Sequence, residues 1–313
     1  MLYTWGSERR FNAYSDYFRR EFGERIQKVT VNAGFTCPNR DGTLGRGGCT
    51  FCDNKAFNPS YNDACKPVDR QINEGIEFHR LRYRRVKKYL AYFQAFTNTY
   101  APLEDLRRIY QPAIEHPDIV GIIIGTRPDC IDKNILEYFA SLADDFYVVI
   151  EYGIESINND ILRNINRGHT FEQTVQAIRE TSEYGIFCGG HLIIGLPGED
   201  KTDWLRSMDV LSGIPLHSLK FHQLQIINGT QMEREYRANP EKFVEFEMET
   251  YLQLMADLIE RLNPDIIIER IAGEVTPGSG ARKGWGIRYD QVLLRFEKIL
   301  EERNTWQGKL REE

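Results

Sequence analysis

The chain has 313 residues, a formal net charge of −6 and six cysteines. This length suits one large domain or one domain with extensions, and six cysteines in so long a chain are not a disulfide framework. The acidic balance argues against indiscriminate nucleic-acid binding, although a local basic patch is compatible with it. Because no signal peptide or transmembrane run is apparent, we expect a reducing, cytoplasmic location and no membrane partner.

Apolar, strand-like runs alternate with amphipathic stretches along most of the chain. The strand candidates are residues 27–33, 90–96, 120–126, 147–152, 187–196 and 219–227, and the helix candidates include 103–115, 131–143, 171–184 and 202–212. Six strand–helix units predict a parallel sheet with outer helices. The predicted fold class is therefore α/β, an open (β/α)6 partial TIM barrel with a C-terminal helical and strand extension.

The same pattern predicts three parts of the chain. An N-terminal extension, 1–26, is rich in aromatic residues and arginine and should pack across one side of the barrel. The core, 27–228, contains a cysteine-bearing loop at 34–65. The C-terminal extension, 229–313, should pack on the barrel, and it consists of helix candidates 243–262 and 289–305 around an apolar run at 266–271.

A glycine-rich loop after the first strand carries three cysteines, Cys37, Cys49 and Cys52. Three thiolates suit a soft metal centre and leave one iron of a [4Fe–4S] cluster open for an exogenous ligand. Four ligands would fill a tetrahedral zinc site, for which Cys65 or His79 is the candidate fourth ligand. Spacing alone leaves both alternatives open. The other three cysteines are expected to be small buried hydrophobic side chains.

Three cysteines with an aromatic residue between the last two resemble the radical S-adenosylmethionine (SAM) superfamily. The opening FNAYS at 11–15, the run NAGFTCPNRDG at 32–42 and the wide cysteine spacing are similar to a bacterial branch related to the elongator catalytic subunit. The resemblance covers nearly the whole chain. It implies a [4Fe–4S] cluster on the three cysteines, with Phe51 beside it, and SAM as a second cofactor.

The resemblance also implies SAM-binding residues at the carboxyl ends of the strands, where parallel barrels carry their active sites. The superfamily's glycine-rich GGE-like motif is absent after the second strand, and Gln94, Thr97 and Asn98 are candidates to supply neutral oxygens instead. The fourth-strand sequence EYGIES resembles a ribose-binding element. In it, Glu155 would accept from the ribose hydroxyls and Ser156 would contact the methionyl part.

Two arginines stand in short sequences that match the elongator-like proteins. Arg127, in TRPD, must meet an anion, water or an aromatic face, and we expect it to line the site. We expect Asp129 to cap the following helix. Arg167, in RGHT, is the candidate clamp for the SAM carboxylate. The fifth-strand sequence HLIIGLPGE resembles an adenine-binding element, with Ile193 and Gly195 near the adenine.

Four further polar side chains are interpreted as features of helix starts. Thr170 with Gln173 fits the capping-box pattern that opens a helix. His169 is expected at the surface or in a cap, and Glu199 is expected to cap the helix that follows it.

No motif identifies the catalytic residues, and four polar side chains at strand ends are candidates. Glu151 either faces substrate or forms a buried ion pair with Arg127. His191 points into the barrel if strand alternation holds, as a substrate-site residue or a core histidine. The facing of the sixth strand is undecided, so either His222 or the pair Gln223 and Gln225 is expected to line the substrate cavity, where a polar face meets ligand or water.

A basic run with interleaved aromatic residues spans 79–89 and has six Arg or Lys side chains. We predict that it is helical. Its charge suits contact with a phosphate backbone, and the alternative is a solvated helix face paired with acidic residues.

The predicted function is that of a radical SAM enzyme, which reductively cleaves SAM to a 5′-deoxyadenosyl radical for hydrogen abstraction. Its partner would be an electron donor such as flavodoxin or ferredoxin. Similarity to the elongator catalytic subunit suggests tRNA wobble-uridine modification, and the basic run agrees with a tRNA substrate. The alternatives are a radical SAM enzyme acting on a small molecule or peptide and, in a different class, a zinc-stabilised nucleic-acid-binding protein.

Overall fold

The computed structural model describes residues 2–53, 59, 61–82, 86–273, 280 and 284–311. Within these residues, seven strands form one sheet, and each pairs in parallel with the next along the chain. The strands are β1 (Ile26–Val31), β2 (Lys88–Phe93), β3 (Ile119–Thr126), β4 (Tyr147–Glu155), β5 (Phe187–Ile194), β6 (Ser218–Gln223) and β7 (Ile267–Arg270).

Helices connect the strands in the pattern of successive βα units. They are α1 (Tyr14–Phe22), α2 (Pro38–Asp41), α3 (Val68–Arg82), α4 (Leu103–Ile114), α5 (Lys133–Ala143), α6 (Asn159–Asn164), α7 (Phe171–Glu183), α8 (Lys201–Leu211), α9 (Gln231–Ala238), α10 (Met248–Arg261) and α11 (Tyr289–Glu302). None of the helices in the described residues is long and apolar enough to cross a membrane.

The predicted fold class is confirmed, since the parallel strands curl into a half-barrel with flanking helices. Each of the six predicted core strands is present. The apolar run predicted in the C-terminal extension becomes β7, which pairs with β6 and so lengthens the sheet. Helix α10 packs against α8, and α11 packs against α10, which covers that side of the sheet. The division of the chain into three parts stays a prediction.

The two faces of the sheet have different cores. Its outer face packs aliphatic side chains such as Val29 and Ile122 against the surrounding helices. On its inner face, Leu90 and Ile123 pack with Phe18 of α1 near the amino ends of the strands. Aromatic side chains of the N-terminal segment therefore fill the bottom of the half-barrel, and its polar interior lies toward the carboxyl ends.

Contacts between the first and last strands close the half-barrel at its open side. The Lys28 ammonium on β1 lies 2.5 Å from a Glu269 carboxylate oxygen on β7. The backbone N–H of Ile268 donates to the carbonyl of Asn12, 2.7 Å away, just before α1. The side chain of Gln307 in turn accepts from the Asn12 N–H at 2.9 Å. Both ends of the chain thus pack against the last strand and the segment before it.

Two predicted helices have different extents in the structure. The basic run was predicted to be one helix, which is wrong for Lys88, because α3 ends at Arg82 and Lys88 begins β2. Residues 83–85 of that run lie outside the described residues. The C-terminal helix predicted from residue 243 begins only at Met248, since Phe243 is extended and its ring packs in an apolar cluster with Ile193.

Acidic neighbours engage part of the basic run. Arg80 lies 3.2 Å from Asp118, and Lys88 lies 3.9 Å from Glu24. Both are exposed or half-exposed pairs, which contribute little to stability. These two pairs favour the solvated, acid-paired alternative for the described part of the run, while Lys87 is exposed.

Candidate functional site

A cavity of about 470 Å³ opens on the inner face of the half-barrel, at the carboxyl ends of the strands. It joins the cysteine loop at one end to a set of buried charged side chains at the other. Most of the candidate residues identified from the sequence line it, namely Cys37, Cys49, Phe51, Cys52, Gln94, Thr97, Arg127, Glu151, Glu155, Arg167, His191, Ile193, His222 and Gln223. Three other candidates, Asn98, Ser156 and Gly195, do not line it.

Local backbone geometry folds the cysteine loop back on itself. Cys37 precedes the one-turn helix α2, which Pro38 starts, and Gly48 donates its N–H to the carbonyl of Asn39 at 2.9 Å. Gly48 has a φ of +82°, and a Cβ there would lie 2.9 Å from the Arg40 side chain. A glycine is therefore required at this position. Cys49, just after the turn, and Cys37 are both buried in the same cavity.

Three nitrogen donors point at the cysteine sulfurs. Arg167 Nη1 lies 3.6 Å from Cys49 Sγ, and Asn39 Nδ2 lies 3.7 Å from the same sulfur. Arg40 Nη1 lies 3.6 Å from Cys52 Sγ. Donors and positive charges of this kind stabilise thiolate and iron–sulfur centres, and hydrogen bonds to sulfur tune cluster potentials. The donor set therefore fits a negatively charged iron–sulfur group.

The alternative fourth ligands of a zinc site lie elsewhere. Neither Cys65 nor His79 lines the cavity, and Cys65 is exposed, which corrects the expectation that it is a buried hydrophobe. Cys188 is buried as expected, and Cys130 is partly buried. In the described part of the chain, no group of three or more His, Cys, Asp or Glu side chains is arranged to hold one metal ion.

Glu155 and Arg167 form a buried ion pair beside the cysteines. Arg167 Nη2 lies 3.6 Å from Glu155 Oε1 and donates to the Gly153 carbonyl at 2.8 Å. A Cβ on Gly153 would lie 2.3 Å from Arg167 Nη2, so only glycine allows this close approach. Among the described residues, the buried Arg167 Nε has no hydrogen-bond partner. The pair thus has an unused donor at the place where the sequence predicts SAM.

Strained backbone is concentrated around the cavity. Among the described residues, five non-glycine residues have positive φ, and three of them line the cavity: Ala95, Phe96 and Glu155. A fourth, Asn166, directly precedes Arg167. Such conformations cost about 1–3 kcal/mol each and cluster at functional sites. The positive φ of Glu155 also follows from a register shift where β4 pairs with β5.

The end of β2 presents unpaired neutral oxygens. Thr97 Oγ1 and Asn98 Oδ1 are both buried without a hydrogen-bond partner in the described residues. The Asn98 amide nitrogen donates to the Gly125 carbonyl at 2.8 Å, which anchors the turn to β3. Thr97 reaches the cavity and Asn98 supports it from behind. This agrees with a ligand-facing role for Thr97 in place of the absent glycine-rich motif.

Arg127 is committed to other residues of the chain. Its guanidinium holds both carboxylate oxygens of Asp129, at 2.8 and 2.7 Å, and donates to the Arg167 carbonyl at 2.7 Å. Asp129 therefore does not cap α5, whose N-cap is Asp132. Asp129 pairs with Arg127 instead of capping the helix, because Arg127 is almost fully buried and needs a counter-charge. Arg127 positions the backbone of Arg167.

Glu199 is a buried acceptor, not a helix cap. It accepts from the hydroxyl of Ser156 and from Trp204 Nε1, the latter at 3.0 Å. Burial raises the pKa of Glu199 to about 7. Asp200 caps α8 instead. Ser156 is thus engaged behind the cavity wall.

Gly195 lies outside the cavity lining too, close to the ring of Phe246.

The segment before α7 combines one confirmed and one corrected prediction. Thr170 and Gln173 form the predicted capping box. His169 is buried, contrary to the expected surface position, and its Nδ1 lies 3.5 Å from Thr174 Oγ1 of α7. Burial, followed by the charge of Arg167, lowers the pKa of His169 to about 3.

A network of buried charges forms the floor of the cavity. Glu151 is its centre, with Lys220 Nζ at 3.1 Å and His191 Nε2 at 2.5 Å from its carboxylate oxygens, and the Tyr92 hydroxyl donates to it. Burial alone would raise the pKa of Glu151, but His191, Lys220 and Lys28 hold that pKa well below its usual range. Glu151 is an anion paired with these partners and has no contact with Arg127.

A second carboxylate completes the floor. Glu269 lies 2.5 Å from Lys28 and 2.6 Å from Lys220, so the two lysines and two glutamates alternate around the half-barrel. Burial lowers the pKa of Lys28. Burial, followed by the negative charge of Glu151, raises the pKa of Tyr92 well above its usual value. Buried charges of both signs are tolerated because each has a partner.

The sixth strand directs alternate residues into the cavity. Lys220 and His222 face inward, and His222 contacts Arg270 at the end of β7. Burial, followed by the Arg270 charge, lowers the pKa of His222 well below its usual value. Gln223 also reaches the cavity wall, but its amide is engaged by the backbone of Gly273 at 2.9 and 2.6 Å.

Sequence reasoning missed Lys28, Tyr92, Lys220, Glu269 and Arg270, all of which line the cavity. All five lie within runs that were read as apolar, and four of the five are charged. A charged residue inside an otherwise apolar strand was the available signal, because such a residue needs a buried partner or a ligand.

Comparison with known sequences covers nearly the whole chain. Residues 35–211 match the family described as the radical SAM superfamily, and residues 216–299 match the radical SAM C-terminal domain. The chain is 34% identical over 308 residues to "Uncharacterized protein YtqA" of Bacillus subtilis (strain 168), covering 97% of this chain and 93% of that protein.

More distant relatives share only part of the chain. Over 134 residues, 42% of this chain and 24% of that protein, it is 36% identical to the tRNA uridine(34) acetyltransferase of Methanocaldococcus jannaschii. Among solved structures, the archaeal Methanocaldococcus infernus Elp3 with an N-terminal deletion superposes with a TM-score of 0.66 at 16% identity. That match covers 90% of this chain and 64% of the other.

Proposed function

This chain belongs to the radical SAM superfamily, and from that premise we propose that Cys37, Cys49 and Cys52 hold a [4Fe–4S] cluster with SAM bound beside it. With one electron from the reductant, the bound cofactors would supply methionine and a 5′-deoxyadenosyl radical for hydrogen abstraction from the substrate. The observation that carries the proposal is the single cavity that joins the three cysteines to the buried charges on the barrel floor.

The protein residues have separate tasks in this proposal. Arg167 and Arg40 donate toward the sulfurs and offset negative charge. Glu155, through its carboxylate, would accept from the ribose hydroxyls of SAM, and Arg167 would meet the SAM carboxylate. Thr97 offers a buried oxygen to the same ligand. The floor around Glu151 would hold the substrate and exclude water from the reacting atoms.

The Glu155 and Arg167 roles predict a loss of SAM affinity. Removing one charge-assisted contact should cost about 1.5–3 kcal/mol, so Glu155→Gln should weaken SAM binding by roughly ten- to a hundredfold. Arg167→Gln should do the same and also change the cluster potential, because Arg167 contacts Cys49. Calorimetry on the anaerobic, reconstituted protein measures the affinity.

The matched control for this measurement is Glu183→Gln, which removes an exposed carboxylate on α7. Iron content should stay normal in Glu155→Gln. Equal SAM affinity for the Glu155→Gln and Glu183→Gln proteins would remove Glu155 from the SAM site.

For the substrate we propose a tRNA, with the reaction at a wobble uridine. The support is the match to a protein named tRNA uridine(34) acetyltransferase over 134 residues, together with the fold shared with Elp3. The proposal includes a low-potential electron donor such as flavodoxin or ferredoxin and a location in the cytoplasm, where thiols stay reduced.

A comparison of tRNA nucleosides tests the substrate. We expect tRNA from cells lacking the protein to lose one modified uridine and to accumulate its precursor, as measured by mass spectrometry of digested tRNA. Expression of the natural protein should restore the modified nucleoside, and expression of Cys49→Ala should not. Identical nucleoside profiles with and without the protein would reject tRNA as the substrate and favour a small molecule or peptide.

A further inference from the structure

Arg270 is placed unusually at the end of β7. Its Nη2 atom lies 2.9 Å from Nδ1 and 3.0 Å from Nε2 of His222. A nitrogen that close to both ring nitrogens cannot lie in the ring plane, because it would collide with the carbon between them. The Nη2 atom therefore lies over the face of the imidazole. An arginine that contacts a ring face through one nitrogen keeps its other N–H groups for a ligand.

The charge of Arg270 is not matched by a carboxylate. Lys28 and Lys220 are paired with Glu151 and Glu269, so these four charges cancel. None of the described carboxylates lies within 4.0 Å of an Arg270 nitrogen. The Arg270 Nε is buried and has no hydrogen-bond partner in the described residues. Within the described residues, the charge of Arg270 thus has no carboxylate partner.

We infer that Arg270, stacked on His222, binds an oxyanion group of the substrate. Its fork of N–H donors matches the two oxygens of a carboxylate or phosphate. The inference rests on the proposed function, because it assigns the anion to the substrate of the same cavity. Since Arg270 lies in one cavity with the three cysteines, the substrate would carry its negative group close to the carbon that loses hydrogen.

The support from His222 is specific. The imidazole presents its face to Arg270, and a Cβ on Gly273 would lie 3.2 Å from His222 Nδ1, so the glycine lets the backbone pass close to the ring. Arg270 follows Glu269, which is bound to both lysines, and this fixes the end of β7. The guanidinium is therefore held in place before any ligand binds, which lowers the entropy cost of binding an anion.

Anion titrations with nuclear magnetic resonance detection test the inference. The reconstituted protein, labelled with carbon-13 histidine, is titrated with sodium phosphate, with sodium acetate and with sodium chloride at matched ionic strength. The His222 ring signal is assigned by its loss in His222→Gln. We expect a saturable shift of that signal with phosphate or acetate beyond that seen with chloride. The tighter-binding probe identifies the substrate group as a phosphate or a carboxylate.

Variants of Arg270 complete the test. Arg270→Gln should weaken anion binding by about tenfold or more. Arg270→Lys keeps the charge but not the fork of N–H donors, so its anion affinity should lie between those of Arg270→Gln and the natural protein. The control Arg179→Gln removes an exposed guanidinium on α7 and should change nothing.

Two results would overturn the inference: an effect of both probes no larger than that of chloride, or anion binding that persists in Arg270→Gln. Unchanged tRNA nucleosides together with anion binding at Arg270 would reject tRNA as the substrate and would leave the inference about Arg270 standing.

Discussion

Replacing any one of Cys37, Cys49 and Cys52 by alanine should abolish the broad iron–thiolate absorption near ~400 nm in the anaerobically purified protein. Each cysteine would hold a different iron, so the loss of one thiolate removes one of the three protein bonds to the cluster. With only three protein ligands there is no spare thiolate among the residues that line the cavity. Iron and sulfide content should fall together with the absorption.

Cys65→Ala is the matched control, since Cys65 is exposed and outside the cavity. It should keep full absorption and full iron content. A Cys52→Ala protein with a complete cluster, or loss of the cluster in Cys65→Ala, would show that the ligand assignment is wrong. Zinc in a colourless protein purified without oxygen would instead favour the zinc alternative.

Substituting Glu151 should have the largest effect on folding stability. Glu151→Gln leaves Lys220 and Lys28 with Glu269 as their remaining carboxylate, so the cavity floor gains an uncompensated positive charge. Breaking a buried pair by removing one partner typically costs about 3–5 kcal/mol. Denaturant unfolding monitored by circular dichroism measures the change in the free energy of unfolding.

Lys220→Met tests the same network from its other side. Lys220→Met should lower the free energy of unfolding by less than Glu151→Gln does. The reason is that Glu151 keeps His191 at 2.5 Å and Lys28 at 3.8 Å. The double variant should cost less than the sum of the two single changes, since the partners are in contact. Strict additivity would contradict the network.

Lys201→Met is the control for this series. Lys201 pairs with Asp257 at 2.6 Å, but it is exposed, so its loss should cost no more than about 1 kcal/mol. A cost for Lys220→Met as small as that for Lys201→Met would mean that the floor pairs behave like surface pairs.

The low pKa of Glu151 in the folded protein also predicts how the stability difference between the natural protein and Glu151→Gln depends on pH. Because its folded pKa lies well below that of the unfolded chain, its contribution to stability is fully present above about pH 4.3 and is lost as pH falls through the folded pKa. The stability gap between the natural protein and Glu151→Gln should therefore narrow below about pH 4. Unfolding curves at several pH values between 5 and 3 measure it, and a gap that widens toward low pH would contradict the assignment.

Several features could be predicted because they depend on neighbours in the sequence. The alternation of apolar runs and amphipathic stretches predicted the strands from β1 to β6, since burial on both faces of a parallel sheet demands near-continuous apolar residues. The cysteine loop needed only its three thiols and glycines to be recognised. Thr170 and Gln173 are three residues apart, and a capping box requires nothing more distant.

Predictions failed where a distant partner decided the outcome. Asp129 was expected at a helix cap, but the buried Arg127 recruits its carboxylate. Glu199 likewise serves Ser156 and Trp204 behind the cavity wall. In each case a cap gains about 1 kcal/mol, whereas an unpaired buried charge or donor costs more. The stronger requirement prevails, and it is invisible without the fold.

The sequence by itself determined the α/β class, the family and the cysteine loop, because these depend on periodicity and on residues close together in the chain. Only the tertiary structure decided which charges meet. Lys28 on β1 and Glu269 on β7 are far apart in sequence, and they pair because the curled sheet brings its two edges together. Arg270 contacts His222 for the same reason, since the described carboxylates of the cavity floor, Glu151 and Glu269, already pair with lysines.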